Sequence, residues 1–177
     1  DRLMSRGLGD VYKRQGLGHH RIALLNGEPG FMFPVGCREG YESGLFLSGL
    51  ELDPDLIREW KHKDPSQSSY RWTLELFKND NPPTAILFQT EAVNGIFKAL
   101  DELDLQPGKD VALIGYDDLE IARIHRPSLS VLRPQAREAG QRVVNILLEV
   151  IKGEDPGKFQ EIHQVEMVIR ETSLPPS

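Results

Sequence analysis

The sequence is poor in the features that mark membrane, secreted and DNA-binding proteins. Its 177 residues include one cysteine, Cys37, so no disulfide can form within the chain. That composition suits a reducing cytosol. No run of 18 or more apolar residues occurs, so no transmembrane helix is predicted. The 27 acidic residues outnumber the 21 basic ones, giving a net charge of -6. A DNA-binding module usually presents a basic face, so any contact with DNA would require a further part of the protein.

The first 15 residues differ in character from the rest of the chain. They show no helix or strand periodicity, and they lack the apolar segment and small-residue cleavage site of a secretory signal. We therefore interpret residues 1–15 as a disordered or non-native leader. Ordered structure is expected from residue 16, and the remaining length suits a single domain spanning residues 16–177.

Short apolar runs ending in Gly, Asp or Pro alternate with amphipathic segments after that point. Strands are predicted at 21–27, 56–61, 84–88, 111–116, 129–133 and 164–170, although 56–61 could instead be a short helix. Helices are predicted at 36–47, from 65 to about 77, from about 91 to 103, and at 134–152. Buried strands separated by helices predict a parallel sheet, and ligands bind such sheets at the carboxyl ends of the strands.

Three of the predicted helices carry specific start signals or apolar stripes. Asp64 is expected to cap the second helix, whose stripe is Tyr70, Leu74 and Phe77. Thr90 is expected to cap the third, whose stripe is Val93, Ile96, Phe97, Leu100 and Leu103. The last helix has the stripe Ala136, Ala139, Val143, Leu147 and Val150, and Gly153 is expected just after its end.

The sharpest chemical feature is the pair Asp117-Asp118 at the end of a predicted strand. Two such carboxylates could bind magnesium, accept a phosphoryl group or hold sugar hydroxyls, or one of them could cap the following turn. The segment Gly27–Gly30 matches no phosphate-binding loop and predicts a turn. The five histidines lack metal-ligand spacing, and Cys37 has no nearby base. The sequence therefore predicts neither an enzyme nor a bound cofactor.

Several segments, taken in order, carry a resemblance to a known family. They are residues 17–27, 38–41, 83–87, 110–118, 127–133, 140–142 and 170–173. The most specific part is the strand ending in Gly115-Tyr116-Asp117-Asp118, followed by the strand in 127–133. Together these segments resemble the sensor domain of the LacI/GalR (lactose/galactose repressor) family over about residues 16–175.

The resemblance implies both a fold and an incomplete architecture. Members of this family join a helix-turn-helix head and a hinge helix to a sensor of two α/β lobes. Residues 16–132 and 160–175 would form the C-terminal lobe of a type I periplasmic-binding-protein-like, three-layer parallel-sheet sandwich. The helix 134–152 would belong to the first lobe and lose much of its packing surface here. The helix-turn-helix domain is absent from the sequence.

The resemblance also implies an effector site between the lobes. Asp117 falls on the family's sugar-contacting aspartate, Gln89 stands where Asn is common, and Cys37 stands where a ligand-binding Arg is frequent. Arg38, one residue later, could substitute for that Arg. The full set of expected effector-binding residues is Asp117, Gln89, Arg38, Cys37, Phe33, Asp64 and Pro134.

A dimer face is implied in the same way, on residues 91–103 and 119–126. Its expected residues are Val93, Ile96, Phe97, Leu100, Ile121 and Ile124. The implied partners are a carbohydrate-like effector, a second copy of the chain, and operator DNA bound through the missing head. The expected function is the effector-binding and dimerisation part of a cytoplasmic transcriptional repressor. Two alternatives are a periplasmic sugar-binding protein of a transporter, and an α/β enzyme using Asp117-Asp118 with magnesium.

Overall fold

The computed structural model describes residues 18–60 and 64–173, which form a mostly parallel six-stranded sheet with helices on both faces. The strands are β1 (Ile22–Asn26), β2 (Ile57–Glu59), β3 (Ala85–Gln89), β4 (Ala112–Tyr116), β5 (Ser130–Pro134) and β6 (Val165–Val168). The α-helices are α1 (Met32–Leu47), α2 (Pro65–Phe77), α3 (Val93–Glu102), α4 (Glu120–Ile124) and α5 (Ala136–Ile151). Each predicted strand and helix is confirmed, and the short α4 was not predicted. The predicted leader, residues 1–15, lies outside the described residues.

The order of strands across the sheet is β2-β1-β3-β4-β5-β6. Strands β1 to β5 are parallel, while β6 pairs with β5 in the antiparallel sense. Strands β1, β3 and β4 are buried almost throughout, as the continuous apolar runs predicted. Because the central strands are parallel, the residues that follow β1, β3, β4 and β5 lie along one edge of the sheet.

Two hydrophobic cores flank the sheet and confirm the predicted three-layer arrangement. On one face, Phe88 and Leu113 of the sheet pack with Ile96 and Leu100 of α3. On the other face, α1 packs on the sheet through a second set of side chains, which includes Cys37, Tyr41 and Leu45. The Tyr41 hydroxyl donates a hydrogen bond of 2.7 Å to the Ile22 carbonyl. This bond fixes α1 on β1 and therefore positions the start of α1 at the carboxyl edge.

Helix α1 begins at Met32, earlier than the predicted Gly36. Pro34 lies in its first turn, where the missing N–H needs no partner within the helix. Asn26 is buried at the end of β1, and its side-chain amide donates a 2.8 Å hydrogen bond to the Pro34 carbonyl. The early start places Phe33 at the carboxyl edge of the sheet.

Helix α2 has the predicted cap but not the predicted stripe. The Asp64 carboxylate accepts a hydrogen bond of 2.8 Å from the Gln67 N–H, which confirms the cap. The buried positions are Ser69, Thr73 and Leu76, whereas the predicted stripe of Tyr70, Leu74 and Phe77 is only half-buried. The reason is close packing at the start of α2, where Gly95 of α3 approaches Ser66 and Ser69 and the Ser69 hydroxyl donates to the carbonyl of Ala92, just before α3.

Gly95 is the closest point of this helix pair. A Cβ on Gly95 would clash with the backbone carbonyl oxygen of Ser66. We expect Gly95→Ala to lower the free energy of unfolding by roughly 2 kcal/mol, because the two helices must separate. Gly140→Ala is the matched control: it lies in α5 with no neighbour near the added carbon, and should stabilise by up to about 1 kcal/mol. Urea unfolding of both variants checks this, and equal effects would contradict it.

Helix α5 is the exception to the packing of the other long helices, since none of its residues is buried. Val143, Leu147 and Ile151 are 63%, 56% and 71% exposed. The assignment of this helix to a first lobe stays a prediction, and an exposed apolar face is what that assignment predicts. Gly153, with φ of 103°, follows the end of the helix as predicted. Despite its apolar face, neither α5 nor another helix in the described parts of the chain is long and apolar enough to cross a membrane.

Candidate functional site

Two adjoining cavities open at the carboxyl edge of the sheet. The first, about 380 Å³, is lined by Met32, Phe33, Gly36, Cys37, Tyr116, Asp117, Leu132, Pro134, His163 and Val165. The second, about 430 Å³, is lined by Gly27, Glu28, Phe31, Phe33, Pro34, Trp60, Pro65, Gln89 and Glu91. Phe33 lines both cavities. Their volumes suit a small organic molecule, and their place at the strand ends is where open α/β sheets bind ligands.

Asp117 contributes the carboxylate of the first cavity. Its φ of 73° lies in the left-handed region, which is uncommon for any residue but Gly. The backbone is held there because the Asp117 N–H donates 2.9 Å to the Leu132 carbonyl and its carbonyl accepts 2.8 Å from the Thr90 hydroxyl. No other described residue contacts its carboxylate through a hydrogen bond or ion pair. Partial burial raises the pKa of this carboxyl.

Asp118, the next residue, has the opposite environment. Its side chain is 3% exposed and accepts hydrogen bonds from Arg123, Arg133 and Arg170. Burial by itself would raise the pKa of the Asp118 carboxyl, but the bonds from the three arginines outweigh it and hold that pKa well below its usual range. The two neighbouring carboxylates therefore lie in different environments. Asp117 lines the cavity and Asp118 joins a structural ion cluster, so these two carboxylates do not form a pair that could hold a magnesium ion.

Thr90 does not cap α3 as predicted. The chain makes a 3₁₀ turn at Thr90–Ala92 before α3 begins, and the Thr90 hydroxyl donates instead to the Tyr116 and Asp117 carbonyls. This contact requires Gly115, because a Cβ there would clash with the Thr90 hydroxyl. Thr90 therefore ties the end of β3 to the strained turn that presents Asp117.

The environment of Asp117 predicts that its ionised form costs stability. Folding raises its pKa, so the folded state favours the proton and loses stability as pH rises through the folded pKa. Asn keeps the shape and tolerates positive φ, so we expect Asp117→Asn to raise the free energy of unfolding at pH 7 by roughly 0.5–1 kcal/mol. Asp101→Asn, an exposed position on α3, is the control. Chemical unfolding at pH 7 and pH 3 checks this: the gain should vanish at pH 3, and a loss at pH 7 would contradict it.

Most of the predicted effector-binding residues lie on these cavities. Phe33, Cys37, Asp117 and Pro134 line the first, and Gln89 lines the second. The Phe33 ring meets the Tyr116 ring edge to face, with centroids 5.9 Å apart. The chain thus brings together side chains from α1, β3, β4 and β5.

Arg38 and Asp64 are not among the lining residues. The Arg38 guanidinium donates 2.8 Å to Glu42 and 3.1 Å to Glu59, which holds it beside β2. The Asp64 carboxylate is used as the cap of α2. Both side chains have structural partners within the chain, and their binding roles stay predictions.

Some lining residues were missed by sequence reasoning. Tyr116 and Leu132 are strand residues, and their apolar character indicated only burial. His163 and Val165 come from the segment that returns after α5, and no local signal places that segment beside Asp117. Trp60, on the second cavity, follows β2, which the sequence marked only as an uncertain strand.

The expected dimer-face residues divide into two groups. Val93, Ile96 and Leu100 are fully buried in the chain's own core, so the expectation that they face a partner is corrected. Phe97 and Ile121 are half-buried, and Ile124 is 65% exposed. An amphipathic stripe cannot distinguish a helix side that faces the sheet from one that faces a second subunit, which explains the error.

Comparison with known families gives one match to most of the chain. The model of the periplasmic binding protein-like domain matches residues 15–173. This range includes both cavities and helix α5.

Curated relatives match nearly the whole chain at modest identity. The transcriptional regulator AglR of Rhizobium meliloti (strain 1021) is 30% identical over 90% of this chain and 45% of its own length. The lactose operon repressor of Escherichia coli (strain K12) is 29% identical over 91% of this chain and 44% of its own length. The HTH-type transcriptional repressor PurR of Haemophilus influenzae (strain PittEE) is 28% identical over 88% of this chain and 47% of its own length. The chain therefore spans about half the length of these relatives.

Solved structures show the same fold. A regulatory protein of the LacI family from Chloroflexus aggregans superposes with a TM-score of 0.87 at 24% identity, covering 97% of this chain and 62% of that one. The lac repressor dimer bound to operator and the anti-inducer ONPF gives a TM-score of 0.83 at 27% identity, covering 98% and 51%.

Proposed function

Because this chain belongs to the family of periplasmic binding protein-like domains found in LacI/GalR regulators, we propose that it is the effector-sensing part of a transcriptional repressor. The effector is a small carbohydrate-like molecule, and the regulator acts as a homodimer. Operator DNA is bound by a helix-turn-helix head encoded before this segment. The net charge of -6 supports a separate head, since a DNA-binding module usually carries an excess of basic residues.

The environment of the Asp117 carboxylate is the observation that carries this proposal. Its carboxylate is half-buried on a cavity of ligand size, has no partner among the described residues, and is held in a strained conformation by Thr90 and Leu132. Strain of this kind persists where the surroundings enforce it, and it is concentrated at binding sites. A carboxylate in such a place accepts hydrogen bonds from neighbouring hydroxyls.

The chain path supports a mechanism in which effector binding changes the angle between two lobes. The chain leaves the sheet at Pro134 into α5 and returns at Val165, and both residues line the first cavity. An effector that contacts Asp117 and the facing lobe would favour one angle over the other. In a dimer, that angle sets the spacing of the two DNA-reading heads.

The experiment that tests this function is recovery of the reading frame upstream of residue 16 from the source DNA. A helix-turn-helix segment about one domain length upstream is the expected result. A secretory signal in place of that head would overturn the proposal and favour a transport-binding protein.

We expect Asp117→Ala to weaken effector binding by the full-length polypeptide roughly 10- to 100-fold, because hydrogen bonds to a charged group contribute about 1.5–3 kcal/mol. Titration calorimetry with the effector measures this. Asp101→Ala, remote on α3, should bind like the unmodified protein. We expect the 177-residue chain alone to bind weakly, since one wall of the cleft is missing, and tight binding by it would contradict the two-lobe site.

A further inference from the structure

A third cavity lies at the end of the β5–β6 pair that is remote from the first two. Its volume is about 510 Å³, and its lining consists of Arg123, Arg126, Ser128, Arg170 and Glu171. Because β5 and β6 are antiparallel, Pro134 lies beside Val165 at one end of the pair, where both line the first cavity. Ser128 precedes β5 and Arg170 follows β6, so the third cavity lies at the opposite end.

Two of its three arginines are held in place by a buried carboxylate. Arg123 and Arg170 each donate a hydrogen bond of 2.8 Å to Asp118, whose side chain is 3% exposed. Arg170 also donates 2.7 Å to the Leu129 carbonyl. These contacts occupy two of the three guanidinium nitrogens of each arginine. A guanidinium carries five N–H groups, so each arginine keeps donors for a ligand while its position is fixed.

The third arginine, Arg126, is oriented by backbone groups. Its Nη1 donates 3.0 Å to the Arg123 carbonyl and 2.9 Å to the His125 carbonyl, at the end of α4. Its side chain is exposed, and it forms no ion pair with a carboxylate of the described residues. Bonds to carbonyls hold the guanidinium without neutralising it, so Arg126 presents a full positive charge at the cavity.

Glu171 is the acidic side chain of the described lining. Its carboxylate accepts 2.6 Å from the Ser128 N–H and 2.7 Å from the Ser128 hydroxyl, which holds it at the wall. Three arginines therefore stand against two carboxylates, Glu171 and the buried Asp118. This leaves an excess of positive charge at one place on a chain whose net charge is -6.

We propose that the third cavity binds the phosphate group of a small molecule, at a site separate from the effector cleft. Guanidinium groups match the geometry of phosphate oxygens, and the tetrahedral oxygens can accept from more than one arginine. The contacts with Asp118 and with the carbonyls order the arginines beforehand, which reduces the entropy lost on binding. The volume is in the range of sites for small organic molecules. This inference goes beyond the sensor function and does not depend on it.

The test is calorimetric titration of the full-length polypeptide with inorganic phosphate and with pyrophosphate, at constant ionic strength in chloride. We expect saturable binding of both anions. Arg126→Gln should weaken that binding roughly three- to fivefold, a moderate loss because solvent and salt screen an exposed charge. Glu171→Gln should strengthen it about twofold, since the repulsion is removed while the amide oxygen still accepts from Ser128.

Two variants serve as controls for this titration. Arg71→Gln removes the same charge from an exposed position on α2, and Asp117→Asn changes the effector cleft. Both should leave phosphate affinity unchanged. The absence of saturable phosphate or pyrophosphate binding would overturn the inference, as would equal losses in Arg126→Gln and Arg71→Gln. Tighter binding by Asp117→Asn would place the anion in the cleft and also overturn it.

Sedimentation velocity distinguishes a ligand site from a subunit contact. Arg123 and Arg126 lie within 119–126, part of the expected dimer face, so Arg126 could instead meet a second copy of the chain. We expect Arg126→Gln to keep the oligomeric state of the unmodified full-length polypeptide. Dissociation of that oligomer by Arg126→Gln would assign the arginine to the subunit contact and overturn the phosphate site.

Discussion

Replacing Asp118 with alanine is expected to lower the free energy of unfolding by roughly 3–5 kcal/mol, because a nearly buried carboxylate holds three arginines. Arg123 comes from α4, Arg133 from β5 and Arg170 from the segment after β6. Without Asp118 these positive charges face one another with no anion between them. Arg170 also donates to the Leu129 carbonyl, so the cluster ties the antiparallel return to the parallel sheet.

Glu154→Gln provides the matched control for this prediction. It breaks an ion pair with Lys158 of similar length, 2.9 Å, between two exposed side chains. Exposed pairs contribute less than about 1 kcal/mol, so this variant should unfold almost like the unmodified chain. Urea unfolding, followed by the fluorescence of the two tryptophans, measures both changes. Equal losses in the free energy of unfolding would show that the buried cluster stabilises the fold no more than an exposed ion pair does.

The Asp118 cluster also predicts a pH dependence. Its folded pKa lies below its ordinary value, so its contribution is present above about pH 4, the unfolded pKa. That contribution is lost progressively as pH falls from there towards the folded pKa. The stability difference between the unmodified chain and Asp118→Asn should therefore shrink below about pH 4. A difference that grows on acidification would contradict the assignment.

The second large effect concerns the exposed face of α5. We expect the isolated 177-residue chain to self-associate as its concentration rises, because Val143, Val144, Leu147, Leu148 and Ile151 are all about half exposed or more. Burying one such side chain contributes roughly 1.5–3 kcal/mol, so several together exceed what a stable contact needs. Leu147→Gln/Ile151→Gln should keep the isolated chain monomeric in sedimentation velocity runs.

Phe46→Gln on α1 is the control for that experiment. Phe46 is as exposed as the α5 side chains but lies on another helix, so its loss should leave the association unchanged. In the full-length polypeptide, Leu147→Gln/Ile151→Gln should instead lower stability, since we propose that the first lobe covers this face. An isolated chain that stays monomeric at all concentrations would contradict the prediction.

Local pattern was sufficient for the elements themselves. The apolar runs at β1, β3 and β4 predicted buried strands, and Asp64-Pro65 predicted the start of α2, because burial and capping depend on a few neighbouring residues. The side of each helix that is buried was predicted less well. The buried side of α2 is Ser69, Thr73 and Leu76 and not the predicted stripe, because α2 approaches Gly95 of α3 closely at Ser66 and Ser69, where a large side chain would not fit.

The sequence by itself determined the alternating α/β pattern, the carboxyl edge as the place of the site, and Asp117-Asp118 as its most distinctive pair. Only the tertiary structure decided which carboxylate serves which role. Asp118 meets arginines that follow it by 5, 15 and 52 residues, and Asp117 is turned into the cavity by contacts from Thr90 and Leu132. Adjacent residues with the same chemistry have different environments here because burial and charge partners come from the fold and not from local sequence.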